Sequence, residues 1–184
     1  MHVVTIRERA QPAVGSALVG TLGVVSTAGV WGPIAASILV TIALATWAAT
    51  IDARSGRIPN DLVMLAGVPT LIVLLVAIGR GTGVEVFGSV LLGAVAFAGP
   101  IFMLHVVSPS AIGFGDVKLA AALGAALGLV EPGLGLLALC IGSAVTTVVA
   151  LLGRRRTLAF GPGLVFGTVA ALLLAARLGE AGLR

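Results

Sequence analysis

Seven apolar stretches, at 13–30, 34–51, 62–78, 84–107, 117–130, 134–152 and 159–176, fill most of this chain and leave it few ways to fold. Most of them approach the roughly 20 residues that a helix needs to cross a bilayer. The runs are continuously apolar, without alternation, and Ala, Leu and Gly dominate them, which argues against transmembrane strands. A hydrophobic content of 59% with only 10% charged residues, and a mean hydropathy of +1.19, lie far outside the range of soluble domains. The expected architecture is all-α: a polytopic membrane helix bundle of about six to seven transmembrane helices. No long linker, low-complexity tract or repeat interrupts it, so residues 1–184 are read as one domain. The fifth run is the shortest, because 14 residues rise only about 21 Å against a hydrocarbon core of roughly 30 Å. It is tilted, re-entrant or extended back through Ile112. The first run follows Arg7 and Arg9, as a secretory signal would. It is longer than a signal core, however, and turns through Gly32 and Pro33 straight into the next run, so it is read as a retained span.

Orientation follows from the positive charges, since cytoplasmic loops are enriched in Lys and Arg. With the N-terminus in the cytoplasm, that side carries Arg7, Arg9, Arg54, Arg57, Lys118, Arg154, Arg155 and Arg156, eight of the eleven basic residues. Arg80, Arg177 and Arg184 fall outside. Membrane orientation therefore accounts for the basic balance, and no nucleic-acid partner is needed. The single cysteine, Cys140, lies within an apolar run and has no second cysteine to pair with, which excludes disulfides and CxxC zinc sites.

Against this background two acidic residues stand out. Asp52 ends the second run and Asp116 begins the fifth, and both are expected at the cytoplasmic side. One boundary carboxylate is as readily a solvated cap as a functional group. Two of them, in the polar loops "DARSGRIPN" and "SPSAIGFGD" on one face of the bundle, weigh toward chemistry. Gly113 and Gly115 permit positive φ and let another backbone approach closely; the bland alternative is a chain break before a helix that Asp116 caps. Asn60 or Asp61 is the expected cap of the third run.

Together the loops resemble type IV prepilin peptidases. "DARSGRIPN" resembles that family's first catalytic-loop motif, an Asp followed by Arg and then Ile-Pro-Asn, and "GFGDVKL" matches its GxGD-Val-Lys-Leu motif. A third, partial match is "AFGPGLVFG", similar to the Phe-Gly-Pro segment that opens a late helix, with Ala159 where Pro is common and Gly163 where a bulkier residue is common. The resemblance covers about 46–167, in the expected order. It implies a membrane aspartyl protease with Asp52 and Asp116 as its catalytic pair, one carboxylate taking a proton from water and the other donating one. Helix position splits the roles: Asp52 at a helix C-terminus is expected neutral, as the acid, and Asp116 at a helix N-terminus ionised, as the base.

The implied substrate is a pilin-like precursor with a short basic leader, a Gly before the cut and an apolar helix after it, presented at the cytoplasmic face of the cell membrane. Many relatives carry an added cytoplasmic domain, often with zinc-binding cysteines. This chain resembles the short, peptidase-only forms, so no metal and no cofactor is expected. Gly113, Gly115, Lys118, Arg57, Pro59 and Asn60 are expected to bind substrate or support the loops. Lys118, two residues beyond Asp116, is expected to point away from that carboxylate and to contact headgroups or the other loop. A serine nucleophile built from His105 with Ser108 or Ser110 is disfavoured by the intervening proline. A small transporter or proton relay would place charges nearer mid-span. A presenilin-like protease would carry a tyrosine, which this chain lacks, and a non-catalytic assembly factor would not need both aspartates.

Overall fold

The computed structural model describes residues 28–55, 58–109, 112–153 and 159–182. Within them the chain forms six helices: α1 (Ala28–Ser55), α2 (Asn60–Gly79), α3 (Gly83–Val107), α4 (Phe114–Gly128), α5 (Leu134–Gly153) and α6 (Gly161–Gly182). No strand occurs among the described residues. All the helices except α4 include a stretch long and apolar enough to cross a membrane. Their outward faces carry large apolar side chains such as Leu39, Trp47, Met64, Leu92 and Leu173, the surface that lipid tails solvate.

Most of the first apolar run lies outside the described residues, but its end does not behave as expected. α1 begins at Ala28 and continues through Gly32 and Pro33 with no turn between them. Pro33 lies in the second turn of this helix, where its missing N–H forgoes one intrahelical bond and leaves the remaining turns intact.

α4 explains the short fifth run. It packs against each of the other five helices, most extensively against α3. Leu119, Leu123 and Leu127 along it are wholly buried, with Phe97 of α3 and Leu164 of α6 filling the same core. A helix enclosed by protein need not match the hydrocarbon thickness, because its ends meet polar protein groups and not lipid. Its 15 residues begin at Phe114, three residues earlier than the apolar run.

Close backbone contact holds these layers together. A Cβ on Gly124 would sit 2.5 Å from the Gly93 carbonyl oxygen, and one on Gly128 2.5 Å from that of Ser89, so α3 and α4 meet with no side chain between them. Ser89 Oγ donates to the Gly128 carbonyl across the same seam. Gly142 of α5 meets Gly163 of α6 in the same way. The small-residue spacings at 124–128 and 163–167 thus serve helix packing, as expected of such motifs in membranes.

Candidate active site

Asp52 and Asp116 come together at one end of the bundle. Asp52 closes a strip of small buried residues on α1, Thr41, Ala45, Ala48 and Ala49, which follow helical spacing. This strip lets α2, α4 and α6 crowd against α1. Asp116 sits in the first turn of α4. Both side chains are buried, at 7% and 8% exposure, and the Asp52 charge acts on Asp116. Asp52 Oδ2 and Asp116 Oδ1 have no hydrogen-bond partner among the described residues. Buried carboxyl oxygens rarely go unbonded, and each such oxygen is a natural partner for a water molecule.

The local structure around Asp116 differs from the alternative in which Asp116 itself caps the helix. Gly113 is the N-cap of α4 at φ −69°, and Asp116 is the third helical residue, whose carboxyl reaches back to the Gly113 N–H. That contact is the return half of a capping box. Neither Gly113 nor Gly115 adopts positive φ; among the described residues only Gly81 does. Gly115 is small for a different reason, since a Cβ there would lie 3.0 Å from Cβ of Ile58, which follows the Asp52 loop. Likewise Pro59, and not Asn60 or Asp61, caps α2, without a side-chain bond.

Asp116 also departs from what its place at a helix start leads one to expect. Burial, reinforced by the Asp52 charge and only partly offset by the Gly113 N–H, pushes its pKa up to about 6. The raised value fixes a sign for stability. The protonated carboxyl stabilises the fold fully below the ordinary carboxylate range, and that contribution is lost as pH rises through about 6. Thermal unfolding of the reconstituted protein is therefore expected to fall between pH 4 and 6 and to flatten above. Asp116→Asn should lose that slope, and an unchanged slope in the variant would contradict the assignment.

Two contacts brace the loops. Lys118 Nζ donates to Asn60 Oδ1 at 3.0 Å, tying α4 to the start of α2. The same ammonium lies 5.1 Å from the centre of the Phe114 ring. Lys118 thus turns to the other loop, one of the two destinations its spacing from Asp116 allowed. His105 Nδ1 donates to the Ile112 carbonyl at 2.7 Å and its ring packs on Phe114. Its Nδ1 is thereby engaged with the GxGD loop and not with a serine. Sequence reasoning weighed His105 only as a base and so missed this support. Lys118→Met is expected to lower activity several-fold and to cost under about 1 kcal/mol of stability, since the lysine is half-exposed; cleavage rates and melting curves of the variant check both. Arg57 lies outside the described residues, and Arg54 is exposed.

The third participant is Gly161, at the opening of α6. Its backbone N–H donates to the Asp52 carboxyl, and a Cβ on it would stand 3.2 Å from Asp52 Oδ2. The Phe-Gly-Pro segment is visible in the sequence, but its distance of more than a hundred residues from Asp52 gives no hint that the two touch.

Fold and site define a polytopic helical membrane protein with a buried carboxyl pair at one end of the bundle. The model of the type IV leader peptidase family matches residues 39–152, a segment that contains both aspartates. It spans more than half of the chain, so this protein belongs to that family and is a membrane peptidase. No curated protein and no solved structure matches the chain.

Proposed function

We propose that this peptidase is an aspartic endopeptidase that removes the basic leader from a pilin-like precursor, with Asp52 and Asp116 activating the attacking water. The observation that carries the reading is the convergence of two buried carboxyls, each with an unbonded oxygen, from separate helices. Two carboxyls that share one proton can run both halves of amide hydrolysis. The ionised one takes a proton from water as its oxygen bonds to the scissile carbonyl carbon, and the protonated one gives its proton to the carbonyl oxygen. The resulting diol collapses as a proton passes to the amide nitrogen and the C–N bond breaks, releasing leader acid and a new amino terminus. The pair ends with one shared proton, as it began.

The placement of the pair supports the rest of the reading. The site lies at the end of the bundle where the chain carries Arg54 and Lys118, the charge bias of a cytoplasmic face of the cell membrane. A precursor whose apolar helix stays in the bilayer would present its leader junction at that level. Co-expression with a candidate precursor in membranes tests this function. The expected result is a shortened product whose new N-terminus follows the leader glycine. An unprocessed precursor across a panel of pilin-like substrates would overturn it.

A further inference from the structure

The peptide unit between Ile112 and Gly113 carries one step more, and that step rests on the dyad reading above. Both of its polar atoms are held by side chains. The Ile112 carbonyl accepts from His105 Nδ1 at 2.7 Å, and the Gly113 N–H, across the same C–N bond, donates to the Asp116 carboxyl. We propose that His105 is a positioning residue: it acts on Asp116 through this single peptide unit and fixes which carboxyl oxygen faces the reacting water. Oδ2 is the oxygen turned toward Gly113, 3.7 Å from where a Cβ would stand on it. Oδ1 is the buried oxygen left unbonded among the described residues.

A peptide unit is planar, so its C=O and N–H point in opposite directions and cannot turn independently. Holding the oxygen therefore aims the N–H. An amide whose oxygen accepts a hydrogen bond is also polarised, and it donates more strongly through its nitrogen. A backbone carbonyl can only accept, so the hydrogen of the first contact sits on His105 Nδ1. At the far end the Asp116 N–H donates back to the Gly113 carbonyl at 3.1 Å, so Gly113 is gripped on both sides. The anchor of the whole arrangement is α3, which carries His105 in its last turn and packs most extensively on α4. The imidazole also packs on Phe114, the first residue of α4, with 5.5 Å between ring centres. Without the His105 donor, the carbonyl of half-buried Ile112 would turn toward water, and the Gly113 N–H would turn away from Asp116 with it.

The test compares two substitutions at one position in the full chain, reconstituted in lipid and assayed on a pilin-like precursor. His105→Asn places an amide N–H near the position of Nδ1, and His105→Gln places one near that of Nε2. Both lose the ring on Phe114, so packing alone would slow them equally. His105→Gln should show a kcat about tenfold below that of His105→Asn, the scale of one misdirected hydrogen bond in a reacting geometry, with KM the same within about twofold. Equal kcat values, or a difference confined to KM, would overturn the proposal. The Gly113 amide proton gives a readout that needs no substrate. In protein carrying isotope-labelled glycine, its magnetic resonance signal, assigned by its loss in Gly113→Ala, should move upfield in His105→Gln and stay near the parent position in His105→Asn. The same shift in both variants would overturn the peptide link. Asp116→Asn in the cleavage assay separates the two levels. Normal cleavage by that variant sinks the dyad itself, whereas a silent Asp116→Asn with equal His105→Asn and His105→Gln rates sinks only the role of His105.

Discussion

Asp52→Asn and Asp116→Asn are each expected to slow leader removal by about a thousandfold, within the range that a lost acid–base group costs. The substitution is nearly isosteric, so the bundle should still assemble. An amide can neither accept the proton of the attacking water nor supply one to the carbonyl oxygen. At Asp116 the variant should also resist unfolding better than the parent above pH 6, because the parent then buries a charge beside Asp52 while the amide does not. Lost activity combined with kept or raised stability is the signature of a carboxylate retained for chemistry. Cleavage rates in membranes read the first effect and detergent-phase melting the second. A variant that loses both together would place that aspartate in the scaffold.

The second large effect is on the fold. Gly124→Val is expected to destabilise the protein by about 3 kcal/mol, at the upper end for overpacking and a substantial part of a total that is commonly only about 5–15 kcal/mol. The new side chain would enter where the Gly93 carbonyl oxygen stands at 2.5 Å and Phe97 Cβ at 2.8 Å from a Cβ. Backbone cannot rotate out of the way as a side chain can, so α3 and α4 must separate, and α4 carries Asp116. Gly88→Ala is the control. Nothing stands within 4 Å of a Cβ there, and alanine is the better helix former by about 1 kcal/mol, so this variant should melt at or above the parent temperature. Equal melting of Gly124→Val and the parent would contradict the tight α3–α4 seam.

These two results divide along what the sequence shows and hides. Long apolar runs announce spanning helices, because the bilayer sets their length and forbids unbonded backbone. The loops bearing Asp52 and Asp116 could be assigned to one face from the alternation of positive charge. The small-residue spacings at 124–128 and 163–167 could be assigned to helix seams. Local geometry was less legible. Gly113 takes the N-cap that the alternative reading gave to Asp116, since a shift of three residues along a loop leaves composition untouched. Gly115 reads as a flexible position, yet its small size serves Ile58, a contact between separate loops. The raised pKa of Asp116 and the approach of Gly161 to Asp52 are tertiary effects. The first arises from burying α4 among five other helices and the second from packing α6 on α1, and no spacing along the chain encodes them.

The central claim is that Asp52 and Asp116 act as one unit, and a double-mutant cycle tests it most directly. Cleavage of a pilin-like precursor would be followed in lipid with the parent, Asp52→Asn, Asp116→Asn and the double variant. Groups that share one proton should fail together, so the double variant should be no slower than either single one. Losses that multiply, reaching about a millionfold in the double variant, would show two independent contributions and contradict the shared-proton dyad.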